Sequence, residues 1–218
     1  MMIMDYCELG DLKHYIPNNF YDLDWSEKLD RLEYIIKGLE TIHKMDIVHR
    51  NFHSGNILVN RFGLRIGSLG ISQPSNVSSD DEEVYGVIPY IASEVLQGQK
   101  YTKASDVYSF GMIMWKLMTG REPFWDQDHD TDLIIEIYDG LRPPIVTNAP
   151  EGYIELMQKC WDPDPIKRPS SVDLVQKISM MKRAELINRT EIIKSLDIGP
   201  ISARVDHQSG FLNMTDHG

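Results

Sequence analysis

The chain has 218 residues, of which 42% are hydrophobic and 25% are charged, and this composition is typical of a globular domain of ordinary size. Its formal net charge of −11 disfavours nonspecific binding to nucleic acid or anionic membrane, because both require an excess of Lys and Arg. No apolar run reaches the roughly 18 residues of a membrane span. We therefore expect a cytoplasmic protein without nucleic-acid or membrane partners, in which Cys7 and Cys160 are reduced thiols.

The first part of the chain predicts a short strand, a long helix and a group of short β segments. Met1–Tyr6 is the expected strand, and it ends in a turn. Asp24 or Ser26 can cap a helix whose apolar residues recur at helical spacing to about residue 46. Three β-type runs follow, at Ile47–Val48, Ile57–Val59 and Leu64–Ile66. Residues 72–86 are polar and acidic, which is typical of a loop.

The second part of the chain is predicted to be helical. A helix begins near Thr102 and ends at Gly120, and apolar residues on several of its faces indicate a buried central helix. Shorter helices are expected at about 131–139, 151–160 and 170–182. The pattern predicts an α+β, mainly α body over residues 1–182. A polar tail over 183–218 follows, with a possible helix to Leu196 and a flexible end over 197–218.

The segment from His49 to Leu58 reads His-Arg-Asn-Phe-His-Ser-Gly-Asn-Ile-Leu. It resembles the protein-kinase catalytic loop, in which His-Arg-Asp is followed five residues later by Asn. Other segments resemble further kinase motifs, in the order in which the family has them. Met4–Asp11 resembles the hinge, Ile66–Gly70 stands at the place of Asp-Phe-Gly, and Tyr90–Glu94 stands at the place of Ala-Pro-Glu. Asp106–Gly111 resembles the start of the central helix, and Cys160–Pro169 resembles the closing motif. Together they cover residues 1 to about 181, and the stretch His53–Asn56 resembles the tyrosine-kinase-like group.

The resemblance implies a protein-kinase-like C-terminal lobe preceded by a hinge strand. No Gly-rich phosphate loop and no Val-Ala-Ile-Lys segment precede the hinge, so we expect the N-terminal β lobe to be absent. In the family, ATP and Mg²⁺ would be bound at this site. By resemblance, the adenine and ribose side would be formed by Met4, Asp5, Tyr6, Cys7, Asp11 and Leu58.

Two positions depart from the family pattern where the chemistry occurs. Asn51 replaces the aspartate that accepts or orients the substrate hydroxyl proton, a contribution of roughly 10²–10⁴-fold in rate. Ser68 replaces the aspartate that holds Mg²⁺, and a neutral hydroxyl is a much weaker ligand for this cation. His49, Arg50 and Asn56 are retained, and Asn56 is the other metal ligand of the family. We expect neither ATP nor Mg²⁺ to be a functional cofactor.

Positions that support the fold in kinases are retained. By resemblance, Asp106 would accept hydrogen bonds from the backbone of the catalytic loop, and Glu94 would form a buried pair with Arg168. His49 would pack beneath Leu69 in the column of side chains that joins the two lobes. This pattern favours a retained fold with lost catalysis, although Ser93 stands where the family has Pro.

Three functions are compatible with the sequence. The first is an inactive pseudokinase that serves as a scaffold or regulatory binding module in signalling. Its protein partner would dock on the C-lobe surface, for example at Leu133, Ile134, Ile137 and Tyr138, which alternatively are plain helix packing. The second is an ATP-dependent Ser/Thr/Tyr protein kinase, and the third is a truncated fragment of one.

The acidic run Asp80–Glu83 has two readings. It could imitate an activation-segment phosphate and dock on Arg50, as regulated kinases do with a real phosphate. The alternative is a solvated charge run on a loop.

Overall fold

The structure is a computed structural model that describes residues 7–75, 84–199 and, by backbone alone, 211–214. The expected strand Met1–Tyr6 and the acidic run Asp80–Glu83 lie outside these residues. The helices are α1 (Leu12–Asn19), α2 (Trp25–Lys44), α3 (Ser93–Leu96), α4 (Lys103–Thr119), α5 (Thr131–Tyr138), α6 (Tyr153–Cys160) and α7 (Ser171–Ile187). The strands are β1 (Ile47–Val48), β2 (Ile57–Asn60), β3 (Gly63–Ile66), β4 (Gln73–Pro74), β5 (Val84–Val87) and β6 (Phe211–Met214).

Helix α4 lies at the centre of the molecule, as the sequence predicted. Thr102 and Ser105 form a reciprocal capping box at its start, and Gly120 ends it in the left-handed conformation at φ 78°. Nearly all of its side chains are buried. At Gly111 a Cβ atom would lie 2.8 Å from the Cβ of Cys160, so the absence of a side chain lets α6 approach α4 closely.

Helix α2 forms a second layer against α4 and α7. It begins at a capping box, in which the Asp24 side chain accepts the Glu27 N–H and the Glu27 side chain accepts the Asp24 N–H. The cap is therefore Asp24 and not Ser26. Its apolar residues, which recur at helical spacing, are buried. Towards α7, the Glu33 carboxylate accepts hydrogen bonds from Ser179 and Lys182. The predicted helix is confirmed, and it ends at Lys44, close to the expected end near residue 46.

The short strands pair antiparallel around the catalytic loop. β2 and β3 form a hairpin with Leu58 opposite Arg65, and β1 pairs with β4. The prediction of a loop over residues 72–86 was wrong at β4 and β5, which are strands. Their partners, β1 and β6, are distant in sequence, so a local polar composition gave no indication of the pairing.

Two further elements differ from the sequence-based expectation. Helix α1 was not predicted. Helix α7 continues to Ile187, five residues beyond the expected end, and no helix reaches Leu196. The expectation that residues 197–218 are flexible stays a prediction, because residues 200–210 and 215–218 lie outside the described residues. Within that range, Ile198 is 2% exposed and residues 211–214 form β6.

The buried apolar side chains form two clusters in the described part of the chain. The main cluster joins α1, α2, α3, α4, α6 and α7. A smaller one, which we call the satellite cluster, consists of Ile88, Phe124, Leu133 and Ile137. Leu133 and Ile137 are therefore packing residues and not part of an exposed patch, and the exposed apolar side chains of α5 are Ile135 and Tyr138.

Candidate active site

The Asp106 side chain fixes the start of the catalytic loop. Its carboxylate, 1% exposed, accepts the backbone N–H of His49 at 2.8 Å and that of Arg50 at 3.0 Å. The ring of His43 on α2 lies 2.9 Å from the same carboxylate. The predicted contact is confirmed, and these bonds hold Arg50 at φ 70°, a strained value for a residue with a side chain.

His49 joins the catalytic loop to the segment that carries Ser68. Its ring is fully buried, and burial lowers the pKa of His49, so the imidazole is neutral at pH 7. Nε2 donates to the Gly67 carbonyl at 3.0 Å, and Nδ1 accepts from the Asn51 N–H at 3.3 Å. These two bonds require the Nε2–H tautomer. Leu69, which we expected above His49, is 38% exposed.

Asn51 occupies the position of the catalytic aspartate. Its Oδ1 atom is buried without a hydrogen-bond partner. The residue lines a cavity of about 10 Å³, close to the lower limit for one water molecule. At Gly86 of β5, a Cβ atom would lie 3.8 Å from this oxygen. The activation segment therefore packs directly against the position where a substrate hydroxyl would have to approach.

Asn56 is held within the catalytic loop. Its Nδ2 donates to the Asn51 carbonyl at 2.8 Å and lies 2.9 Å from Nε2 of His53. Burial lowers the pKa of His53 to about 4, so this imidazole carries no charge at neutral pH. The nitrogen end of the Asn56 amide is thus engaged, and only its oxygen remains for a ligand.

The residues at the family's metal position do not fit a Mg²⁺ pair. Ser68 is exposed, lies in the left-handed region at φ 61° and makes no capping hydrogen bond. With Asn56 it offers two neutral oxygens, whereas Mg²⁺ is usually held by one or two carboxylates together with substrate phosphates. Within residues 7–75 and 84–199, no group of three or more His, Cys, Asp or Glu side chains could hold a metal ion.

The predicted adenine side is only partly described. Met4, Asp5 and Tyr6 lie outside the described residues. Cys7 is half-buried, and Asp11 caps α1 by accepting the His14 N–H at 2.9 Å. Asp11 also forms a β-bridge with Leu58, so these two predicted residues are brought together beside β2.

The pair between Glu94 and Arg168 is present and buried. Both guanidinium Nη atoms donate to the carboxylate at 2.7 Å, and the side chains are 5% and 0% exposed. Arg168 also donates to the carbonyls of Ala104 and Asp162. Ser93, at the family's Pro position, is buried at the start of α3. The pair thus fixes the end of the activation segment to the first turn of α4 and to the segment before α7.

Sequence reasoning missed a polar network beside the loop. The Tyr90 hydroxyl donates to Glu122 at 2.8 Å and lies 3.0 Å from the Ser54 hydroxyl. Lys116 of α4, fully buried, forms an ion pair with the same Glu122 carboxylate. Burial lowers the pKa of Lys116, which Glu122 partly offsets. A lysine in the middle of a buried helix was the signal, since such a charge requires a partner.

Arg50 is buried beside Tyr101, which precedes α4. Its guanidinium lies 5.0 Å from the ring of Tyr101, and its buried Nε has no hydrogen-bond partner. The hypothesis that Asp80–Glu83 docks on Arg50 remains a prediction, because that run lies outside the described residues.

A model of the protein tyrosine and serine/threonine kinase family matches residues 1–178. The chain belongs to the protein kinase family. It is 35% identical over 193 residues to stress-activated protein kinase alpha of Dictyostelium discoideum, with 81% of this chain and 30% of that protein covered.

It is 32% identical over 191 residues to ephrin type-A receptor 7 of Gallus gallus, with 84% of this chain and 19% of that protein covered. It is also 31% identical over 196 residues to cyclic GMP-binding protein C of Dictyostelium discoideum, with 84% and 7% covered. The chain therefore spans less than a third of the length of these relatives. Among the described residues no helix combines the length and hydropathy needed to cross a membrane.

Proposed function

We propose that this kinase-family chain is a catalytically inactive pseudokinase of the tyrosine-kinase-like group. In this proposal it acts in the cytoplasm as a scaffold or regulatory binding module, through the helical lobe that follows the hinge. The observation that carries the proposal is the pair of substitutions at Asn51 and Ser68 in a site whose supporting contacts are otherwise in place.

The first argument concerns proton transfer. The Asn51 amide cannot take up a proton at neutral pH, and its buried Oδ1 has no hydrogen-bond partner. Loss of a general base costs roughly 10²–10⁴-fold in rate. Neither neighbouring imidazole replaces the carboxylate, because both rings already have partners within the loop. His49 bonds to the Gly67 carbonyl and to the Asn51 N–H, and His53 accepts the Gly55 N–H and lies 2.9 Å from Nδ2 of Asn56.

The second argument concerns charge. Phosphoryl transfer depends on cations that neutralise the phosphate oxygens, and those cations need carboxylate ligands. Asn56 and Ser68 supply neutral oxygens only, so the charge neutralisation and the proton acceptor are lost at two separate positions. ATP and Mg²⁺ consequently have no functional role in this proposal.

Radiolabelled ATP tests the absence of catalysis. Wild-type chain and an Asn56→Ala variant are incubated with Mg·ATP and a generic acceptor such as myelin basic protein. We expect equal incorporation of phosphate, because no transfer depends on the retained amide. Incorporation by the wild type at least about tenfold above Asn56→Ala would overturn the proposal and establish the alternative of an ATP-dependent protein kinase, in line with the size of a single catalytic contribution.

The binding role is supported by an exposed apolar pair on the C-lobe. Ile135 and Tyr138 on α5 are 53% and 54% exposed, whereas Leu133 and Ile137 of the same helix face the satellite cluster. An Ile135→Ser/Tyr138→Ser variant keeps the buried face of α5, so we expect an unchanged melting temperature and loss of a captured protein partner in a pull-down. A partner retained by this variant would place the docking surface elsewhere, and a wild type without any stable partner would contradict the scaffold role.

A further inference from the structure

Strand β5 of the activation segment pairs with β6 near the end of the chain. The pairing is antiparallel, with Val84 opposite Met214 and Val87 opposite Phe211. Among the strands that the structure describes, β6 is the one partner of β5. An edge strand presents unpaired N–H and C=O groups to any extended segment nearby, and here the same chain supplies that segment.

The other contacts of β5 place it against the lobe. Val84 and Val87 pack on the main apolar cluster, and the Tyr101 hydroxyl donates to the Tyr85 carbonyl at 2.5 Å. Gly86 adjoins Asn51, as described above. β5 is thus a strand fixed to the lobe beside the catalytic-loop asparagine, and its hydrogen-bonding edge is taken by β6.

The chain before β6 is attached to the lobe and reaches far enough. Asn148 donates to the Glu191 carbonyl at 3.1 Å, Arg121 donates to the Leu196 carbonyl at 2.5 Å, and the Gly199 N–H donates to the Thr119 carbonyl. From Gly199 to the start of β6 the chain can span up to about 40 Å, the diameter of a domain of this size.

We propose that residues 211–214 are an intramolecular occupant of a strand-docking edge on the activation segment. The tail thereby closes this edge to extended segments of other proteins, which would have to displace it to pair with β5. Because residues 211–214 belong to the same chain as β5, their effective concentration at this edge is high. A peptide from another protein must exceed that effective concentration to replace them. The inference goes beyond the proposed function, since the tail covers the same edge whether or not the chain transfers phosphate.

Proline substitution tests the pairing. In a strand, successive N–H groups point to opposite sides, so of two consecutive residues one donates towards the partner. The double variant Leu212→Pro/Asn213→Pro therefore removes a ladder bond in either register. The matched control is Gln208→Pro/Ser209→Pro, which places the same two prolines in the tail outside the paired residues.

The measurement is amide hydrogen exchange of residues 84–87 on the monomeric fraction, so that protection is assigned to the same chain. We expect at least about tenfold faster exchange in Leu212→Pro/Asn213→Pro than in the wild type and the control, with exchange in α4 unchanged. Equal rates in all three proteins would overturn the proposal.

A disulfide test does not depend on proline. Residues directly opposite in antiparallel strands have Cα atoms about 4.5–5.5 Å apart, within the range of a disulfide. In a Cys7→Ser background, we expect Val84→Cys/Met214→Cys to form a monomeric disulfide at least about tenfold faster than Tyr138→Cys/Met214→Cys. Equal rates for the two pairs, or disulfides between chains only, would contradict pairing within one chain.

Discussion

Asp106 accepts hydrogen bonds from two successive backbone N–H groups, of His49 and Arg50, and contacts the ring of His43. None of these bonds involves a substrate atom, so the catalytic loop keeps its conformation when Asn replaces Asp at position 51. A kinase catalytic loop can therefore keep its conformation without its catalytic aspartate. A match to the family motif indicates the conformation of the loop and not its catalytic activity.

The buried pair between Glu94 and Arg168 provides a test at the residue scale. Glu94→Gln removes the negative charge while keeping the shape of the side chain, so the fully buried guanidinium loses its counter-charge. We expect the free energy of unfolding to fall by about 3 kcal/mol, the lower end of the cost of breaking a buried pair. Urea unfolding at pH 7 measures the difference.

An exposed pair supplies the control for that substitution. Glu155 and Lys159 are one turn apart on α6, and their side chains are 71% and 49% exposed. We expect Glu155→Gln to leave the urea midpoint unchanged. If Glu94→Gln also left the urea midpoint unchanged, the charge pair between Glu94 and Arg168 would make no net contribution to the free energy of unfolding.

Residue contacts that belong to a motif could be predicted from the sequence, and others could not. The contacts of Asp106 and the pair of Glu94 with Arg168 were implied by the resemblance to the kinase motifs. The contact of Tyr90 with Glu122 links residues of which only one lies in a motif. It depends on the path of the chain between them, which no spacing rule gives.

At the scale of elements, the N-terminal end of α2 contains a buried ammonium group. Lys28 is fully buried, its Nζ has no hydrogen-bond partner, and it lies 3.7 Å from the ring centre of Phe20 and 5.1 Å from that of Trp25. Burial lowers the pKa of Lys28 from 10.5 to about 7, and Asp24 acts in the opposite direction. The two aromatic faces partly compensate the charged form.

This lowered pKa predicts a pH-dependent stability. Between pH 7 and 10.5 the unfolded chain binds more protons at Lys28 than the folded chain, so the free energy of unfolding rises with pH across this window. The slope from this group is at most about 1.4 kcal/mol per pH unit. We expect Lys28→Met to lose that rise, measured by urea unfolding at pH 7, 8 and 9.

Lys177→Met is the matched control, because Lys177 is an exposed lysine of helix α7. It should keep the pH dependence of the wild type. Parallel curves for the wild type and Lys28→Met would show that Lys28 retains an ordinary pKa in the folded state.

Helices with a sustained apolar repeat and clear caps could be predicted from the sequence. Short helices and strands that pair with distant segments could not. α2 and α4 repeat their apolar residues over four or more turns and begin at side-chain caps, so their bounds were right to within a few residues. α1 has eight residues and contains Pro17, which breaks the expected pattern. β5 depends on a partner more than 120 residues away.

At the scale of the whole molecule, the core is unequally divided. The main cluster extends through six helices, whereas the satellite cluster has four buried side chains, two of them on α5. Leu96 packs on both the main cluster and the satellite cluster, so the two clusters are in contact through this side chain. Because the satellite cluster buries less apolar surface, α5 should open at a lower free energy than the main cluster.

Ile137→Ala tests this division. Ile137 is fully buried in the satellite cluster, and the lost methylene contacts cost about 2–5 kcal/mol where the site cannot collapse. We expect faster amide exchange in residues 131–138 and unchanged exchange in α2 and α4, because only the local opening is made easier. Ile113→Ala, in the main cluster, should instead accelerate exchange throughout the molecule. If Ile137→Ala accelerated exchange in α2 and α4 to the same degree, the two clusters would unfold as one unit, and partner binding at α5 would be coupled to the stability of the entire lobe.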